Sequence, residues 1–121
     1  MNSKTLQRKD FLKLLANSRS AKRRKQIINS ARPADIAAVS ECALNLIKNN
    51  IPLSDKNYKK FYKCKHDIRS LARKHTSLRK KKLIIHQKGG FLSTLIPLAI
   101  SAISAIVKTI KSHKKKKSNK Q

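Results

Sequence analysis

The 121-residue chain has only two glycines, and they stand side by side as Gly89-Gly90. Glycine and proline are the main local breakers of regular structure, and with three prolines besides the chain has few places to turn. Upstream of the pair, apolar residues recur at three- and four-residue spacing, the period of a helix rather than of a strand. The chain is therefore expected to be all-α: a small basic multi-helix region over 1–88, a Gly-Gly hinge at 89–90, a hydrophobic helix over 91–110 and a disordered Lys-rich tail over 111–121. At this length one domain at most is expected, with a small core.

Punctuation within 1–88 predicts five helices. Ser3 can cap the first, with Leu6, Phe11, Leu14 and Leu15 on one side. A second is expected over about 18–30. Pro33 suits the first turn of a third, the least charged helix, with the apolar stripe Ile36, Val39, Ala43 and Ile47; Asn49-Asn50 and Pro52 stop it. This stripe, with Leu44, is the expected centre of the core. Ser54 can cap a fourth helix carrying Tyr58, Phe61, Tyr62, Ile68 and Ala72, and Thr76 can begin a short fifth through Leu83, Ile84 and Ile85.

Charge then decides what such a helical chain can meet. Lys and Arg number 31 against five acids, a formal net charge of +26, and the acids Asp10, Asp35, Glu41, Asp55 and Asp67 are scattered. A field of one sign this strong opposes compaction and attracts polyanions. Phosphates of DNA, or of RNA, are the first candidate partner, and anionic lipid is the second. Region 1–90 holds 24 basic residues and all five acids, a net +19. The expected nucleic-acid contacts are Lys22, Arg23, Arg24 and Lys25; Lys59, Lys60 and Lys63; Arg69, Arg73 and Lys74; and Arg79, Lys80, Lys81 and Lys82. Runs such as 22–25, 79–82 and 114–117 also read as nuclear-import signals or as solvated helix faces. Tyr58, Phe61 and Tyr62 among lysines could stack on unpaired bases, but at helical spacing in a chain short of large apolar residues they are expected in the core.

Other chemistries find little footing. Cys42 and Cys64 are too few for a disulfide-stapled secreted domain, and MNSKTLQRKDF has no apolar signal-peptide core, so a reducing, cytosolic start is expected. Cys42, Cys64, His66 and His75 match no zinc spacing. No Ser/His/Asp set, carboxylate pair or nucleotide-binding glycine loop can be assembled, so neither an enzyme nor a cofactor is expected.

Residues 91–107, FLSTLIPLAISAISAIV, carry no charge and precede KTIKSHKKKKSNKQ. A bilayer-spanning helix needs ~20 apolar residues, with about 17 as the lower limit. Thr94, Ser101, Ser104 and Lys108 share a narrow helical strip, which favours an amphipathic helix lying in an interface, and Pro97 kinks or delays it. The expected membrane contacts are Phe91, Leu92, Leu95, Ile96, Leu98, Ile100, Ile103, Ile106 and Val107.

The stretch Gln87-Lys88-Gly89-Gly90-Phe91-Leu92, continuing to Leu95-Ile96-Pro97-Leu98 and an Ala/Ile-rich run, resembles the C-terminal part of the precursor of adenovirus core protein X, or mu. It resembles the versions in adintovirus and Polinton (Maverick) elements more than a vertebrate adenovirus protein. The resemblance is specific over about 87–107, and one of charge and position upstream. It implies a virion protein, present also in the host nucleus, that condenses viral DNA without sequence specificity. It further implies a precursor cut after Gly90 by a viral cysteine protease, with Gln87, Gly89, Gly90 and Phe91 as the recognition residues. Gly-Gly suits such a cleft because two residues without Cβ pass a narrow tunnel in extended form; read without the family, Gly-Gly after a helix is a cap and hinge. The hydrophobic segment could then touch membrane or the capsid interior. The alternative readings are a tail-anchored or interfacial membrane-active protein on the cytosolic face of a membrane, and a host transcription or chromatin factor.

Overall fold

A computed structural model of the chain describes residues 7–102, which form helices with no strand among them. The elements are α1 (Lys9–Ala16), α2 (Ala21–Ser30), α3 (Pro33–Ile47), α4 (Asp55–Ala72) and α5 (Leu78–Gln87), followed by α6 (Gly89–Ala102).

Short polar residues set the helix starts. The Ser20, Ser54 and Ser77 hydroxyls accept the backbone N–H three residues on, at 3.1, 3.2 and 3.2 Å, each satisfying a donor that the first turn leaves free. Pro33 opens α3 as expected, where the Asp35 carboxylate takes the Arg32 N–H at 3.0 Å. The second and fifth starts differ from expectation by one or two residues: Ser18 instead ends α1, its hydroxyl donating to the Leu15 carbonyl at 2.6 Å, and Ser77 rather than Thr76 caps α5.

The end of α3 is a left-handed cap. Asn49 has a φ of 60°, which Asn tolerates better than most residues. Its N–H and that of Asn50 return to the carbonyls of Leu46 and Asn45 at 3.1 and 2.9 Å. The buried Asn45 amide is satisfied in turn, donating to Glu41 O and accepting from Asn50 Nδ2, both at 2.8 Å.

α3 is the central helix, packed along α4 and touching α1 and α5. Ile36, Val39 and Ala43 are buried as expected, along with Ala38, Cys42 and Leu46; Ile47 only flanks the core and Leu44 is half-buried. Other parts of the expected core are corrected. On α1, Leu12 and Leu15 are buried while Leu14 is exposed. On α4, Phe61 is buried, but Tyr58 and Tyr62 point outward at 53% and 65% exposure. Ser3 and Leu6 lie outside the described residues.

The C-terminal helix is part of this core. α1, α2 and α5 contribute two buried apolar side chains each, Leu12 and Leu15, Ile27 and Ile28, and Ile84 and Ile85. α6 supplies Phe91, Leu92, Leu95, Ile96, Ala99 and Ile100 to the same cluster. At about 1.5–3 kcal/mol for each large side chain buried, that face is a major share of what holds so small a fold together. The expected division between a basic region and a lipid-seeking segment is thus no boundary in the packing. The expected hinge also moves: α5 and α6 meet at 99° with the turn at Lys88, whose N–H still reaches Ile84 O at 2.8 Å. Gly89 and Gly90 are helical, in the first turn of α6.

Candidate nucleic-acid interface

A helix rotates about 100° per residue, so four consecutive cations cannot share one face. On α2 they separate accordingly. Lys22 is exposed. Arg23 turns toward α1, lining a pocket with Phe11, Leu14 and Asp35. Lys25 turns the other way, toward α5. Arg24 points into the structure, half-buried, with Nε donating to the His86 carbonyl at 3.4 Å.

Arg24 is therefore better described as a brace than as a free phosphate contact. It caps a carbonyl in the last turn of α5, where the helix dipole favours a cation. It also explains Gly89: a Cβ there would overlap the Arg24 side chain at Nε, Cδ and Cζ, whereas nothing stands near a Cβ at Gly90. Gly89 is buried and Gly90 exposed. The four residues expected at a protease cleft thus begin from helix rather than from extended strand, with Phe91 in the core.

The packing of α2 on α5 brings together two basic runs more than 50 positions apart. Lys25, Ile28 and Asn29 from one helix face Arg79, Lys82, Leu83 and His86 from the other across a groove of about 330 Å³. Its lining combines the apolar Ile28 and Leu83 with three cations. Arg79 and Lys82 reach it together because residues three apart share a helix face. Lys80 stays in solvent, and Lys81 is half-buried, with burial lowering its ammonium pKa. Asn29 and His86 could not be assigned to this groove from sequence, since only the tertiary pairing of α2 with α5 puts them there.

A second basic surface lies on α4. Lys59, Lys60, Lys63 and Arg69 are exposed on it, and Arg73 and Lys74 follow at its C-terminal end, also exposed. Two ion pairs, Arg8–Asp35 at 3.6 Å and Lys88–Asp67 at 3.5 Å, use none of the fourteen expected nucleic-acid contacts.

The expected membrane contacts fare differently. Phe91, Leu92, Leu95, Ile96 and Ile100 are buried within the protein, and Leu98 is half-buried against the same core; they are apolar because they face other helices. Ile103, Ile106, Val107, the run 114–117 and the tail 111–121 lie outside the described residues. Among the described residues no single helix is long and apolar enough to cross a membrane, and α5 with α6 reach that length only as a sharply bent pair. No group of His, Cys, Asp and Glu among them could hold a metal ion. With the geometry in place, comparison adds no relative: no family model, curated protein or solved structure matches the chain.

Proposed function

We propose that this protein binds nucleic acid without sequence specificity, through Lys and Arg contacts to phosphate, and condenses DNA by cancelling its charge. The observation that carries the reading is the groove between α2 and α5, where Lys25, Arg79 and Lys82 converge with no acidic side chain in its lining. Nothing there offers the paired donors and acceptors that read base edges. Each phosphate neutralised releases condensed counterion, so affinity falls with salt at a log–log slope of about −0.9 per phosphate. The resemblance of residues 87–107 to the core protein X precursor family supports placing this activity in a virion core and host nucleus, with DNA as the main partner and RNA as the other polymer of the same charge. Maturation by a viral cysteine protease after Gly90 belongs to the same proposal, and it requires the start of α6 to unwind first.

The test is binding of the full chain to duplexes of unrelated sequence over a salt series. Affinities should agree among sequences, and replacing Lys25, Arg79 and Lys82 together by Ala should make the slope shallower by about 2–3, at ~0.9 for each phosphate no longer neutralised. A preference of ~10³ or more for one sequence, the low end of true specificity, or an unchanged slope in the triple variant, would refute the reading.

A further inference from the structure

Tyr58 and Tyr62 are among the five aromatic residues of a chain with no tryptophan, in a fold that takes only Phe61 of α4's three aromatics inside. Both tyrosines are more than half exposed, at 53% and 65%. They are four residues apart on a helix, so their rings rise from the same face about 6 Å apart along the axis. Positions 58, 62, 65 and 69 continue that stripe as Tyr, Tyr, Lys and Arg, and Lys59 and Lys63 flank it. The rings are also held in place: Tyr58 leans on the buried Phe61 at 6.2 Å between centroids and 57°, and Lys65 Nζ lies 5.7 Å from the Tyr62 centroid. Of the acids on this helix, Asp55 stands in its first turn and Asp67 is engaged by Lys88.

Two anchored aromatic faces in a row of cations fit one class of ligand. In a duplex the base faces are covered by their neighbours, and only phosphates and base edges are offered. An unpaired strand presents both phosphates and free base faces, and stacking on aromatic side chains is how such strands are held without sequence readout. We infer that the outer face of α4 is a stacking platform for unpaired bases, Tyr58 and Tyr62 taking bases while Lys59, Lys63, Lys65 and Arg69 take phosphates. The inference rests on the proposed nucleic-acid binding and names the form of polymer this surface selects. Ribose and deoxyribose strands share the chemistry.

The absence of tryptophan gives a direct readout, because the tyrosine emission of the folded protein comes only from these two residues. Oligo(dT) and oligo(U) added to the full chain should quench it at saturation, whereas a duplex bound to the same extent should leave it largely unchanged. Tyr62→Ala should weaken binding of the single strands by at least about fivefold, from the stacking of one base, while duplex affinity and helical circular dichroism stay as in the wild type; Tyr62→Phe should restore the single-strand affinity. Quenching by only one of the two oligonucleotides would support the platform and show that it distinguishes thymidine from uridine strands. Single strands that bind fully with unquenched tyrosines, or an equal loss on duplex and single strand in Tyr62→Ala, would overturn the platform while leaving phosphate binding intact. A chain that binds neither polymer would overturn the proposed function with it.

Discussion

Cys42 sits in the middle of α3 with no exposed surface, and burial, with the neighbouring Glu41 charge, pushes its thiol from 9.0 up to about 12. The thiolate is the reactive form, so this cysteine should be inert in the folded protein. At pH 8 a thiol reagent should label the half-buried Cys64 and reach Cys42 only in denaturant; rapid labelling of both in the native state would mean that α3 is not the core. The sign with pH follows from linkage. The folded value lies above the unfolded one, so this thiol's contribution is intact below about pH 9 and is lost as pH rises toward 12, by up to about 1.4 kcal/mol per unit. Measured as wild type against Cys42→Ala, which subtracts the lysines, the wild type should lose ground through that window. Single residues also show where sequence is hard to read. The placement of Cys42 is legible because its neighbours are Ala, Leu and Val. That of Tyr58 and Tyr62 is not, because helical spacing says which residues share a face and not which face is covered; α3 packs on α4 with Phe61 inward, and the two tyrosines fall outside that contact. Arg24 is opaque for a similar reason, since only the approach of α5 and α6 turns one cation of four into a brace.

At the scale of elements, the starts of α3 and α4 are legible because a capping serine or an N1 proline is a local signal whose chemistry is complete within four residues, whereas neighbouring Ser and Thr residues blur the starts of α2 and α5. The role of residues 91–100 is not legible. Continuous hydrophobicity is the same whether the cover is lipid or protein, and the choice depends on how much apolar surface the other helices leave uncovered. Here α1, α2 and α5 leave much of it, and α6 fills the space. Deleting residues 91–121 should therefore do more than remove a separable peptide. It strips Leu92, Leu95 and Ile96, each almost fully buried, when a single Leu or Ile truncation to Ala in a core costs about 2–5 kcal/mol. A chain ending at Gly90 should lose cooperative melting in the absence of nucleic acid. Gly90→Ala in the full chain should instead stabilise it by about 0.4–1 kcal/mol, because the position is helical and open and alanine lowers the entropy of the unfolded chain. A sharp, unshifted melting transition in the truncated protein would show that the core closes without α6, and would restore the two-part reading of the sequence.

At the scale of the whole molecule, the fold sets a helical core of ordinary composition against a shell with almost no negative charge. The +26 has two consequences of opposite sign. Cations crowded on a small surface repel one another, which favours the unfolded chain, where they stand further apart. The same cations are what the proposed polyphosphate partner would neutralise. Salt acts on both, since the screening length falls from about 10 Å at 0.1 M to about 3 Å at 1 M. The free protein should therefore melt at higher temperature as salt is raised, by about 3–6 °C for each kcal/mol of repulsion removed from a domain of this size, while its affinity for duplex DNA falls over the same range. At low salt, saturating duplex should raise the melting temperature by linkage, and that gain should vanish at high salt although the free protein is then at its most stable. Calorimetry of the free and DNA-bound protein at the two salt concentrations reads all four quantities. A melting temperature of the free protein that falls with salt would show that ion pairs, and not repulsion, dominate its surface, and the account of the shell as an unneutralised phosphate-binding field would fail with it.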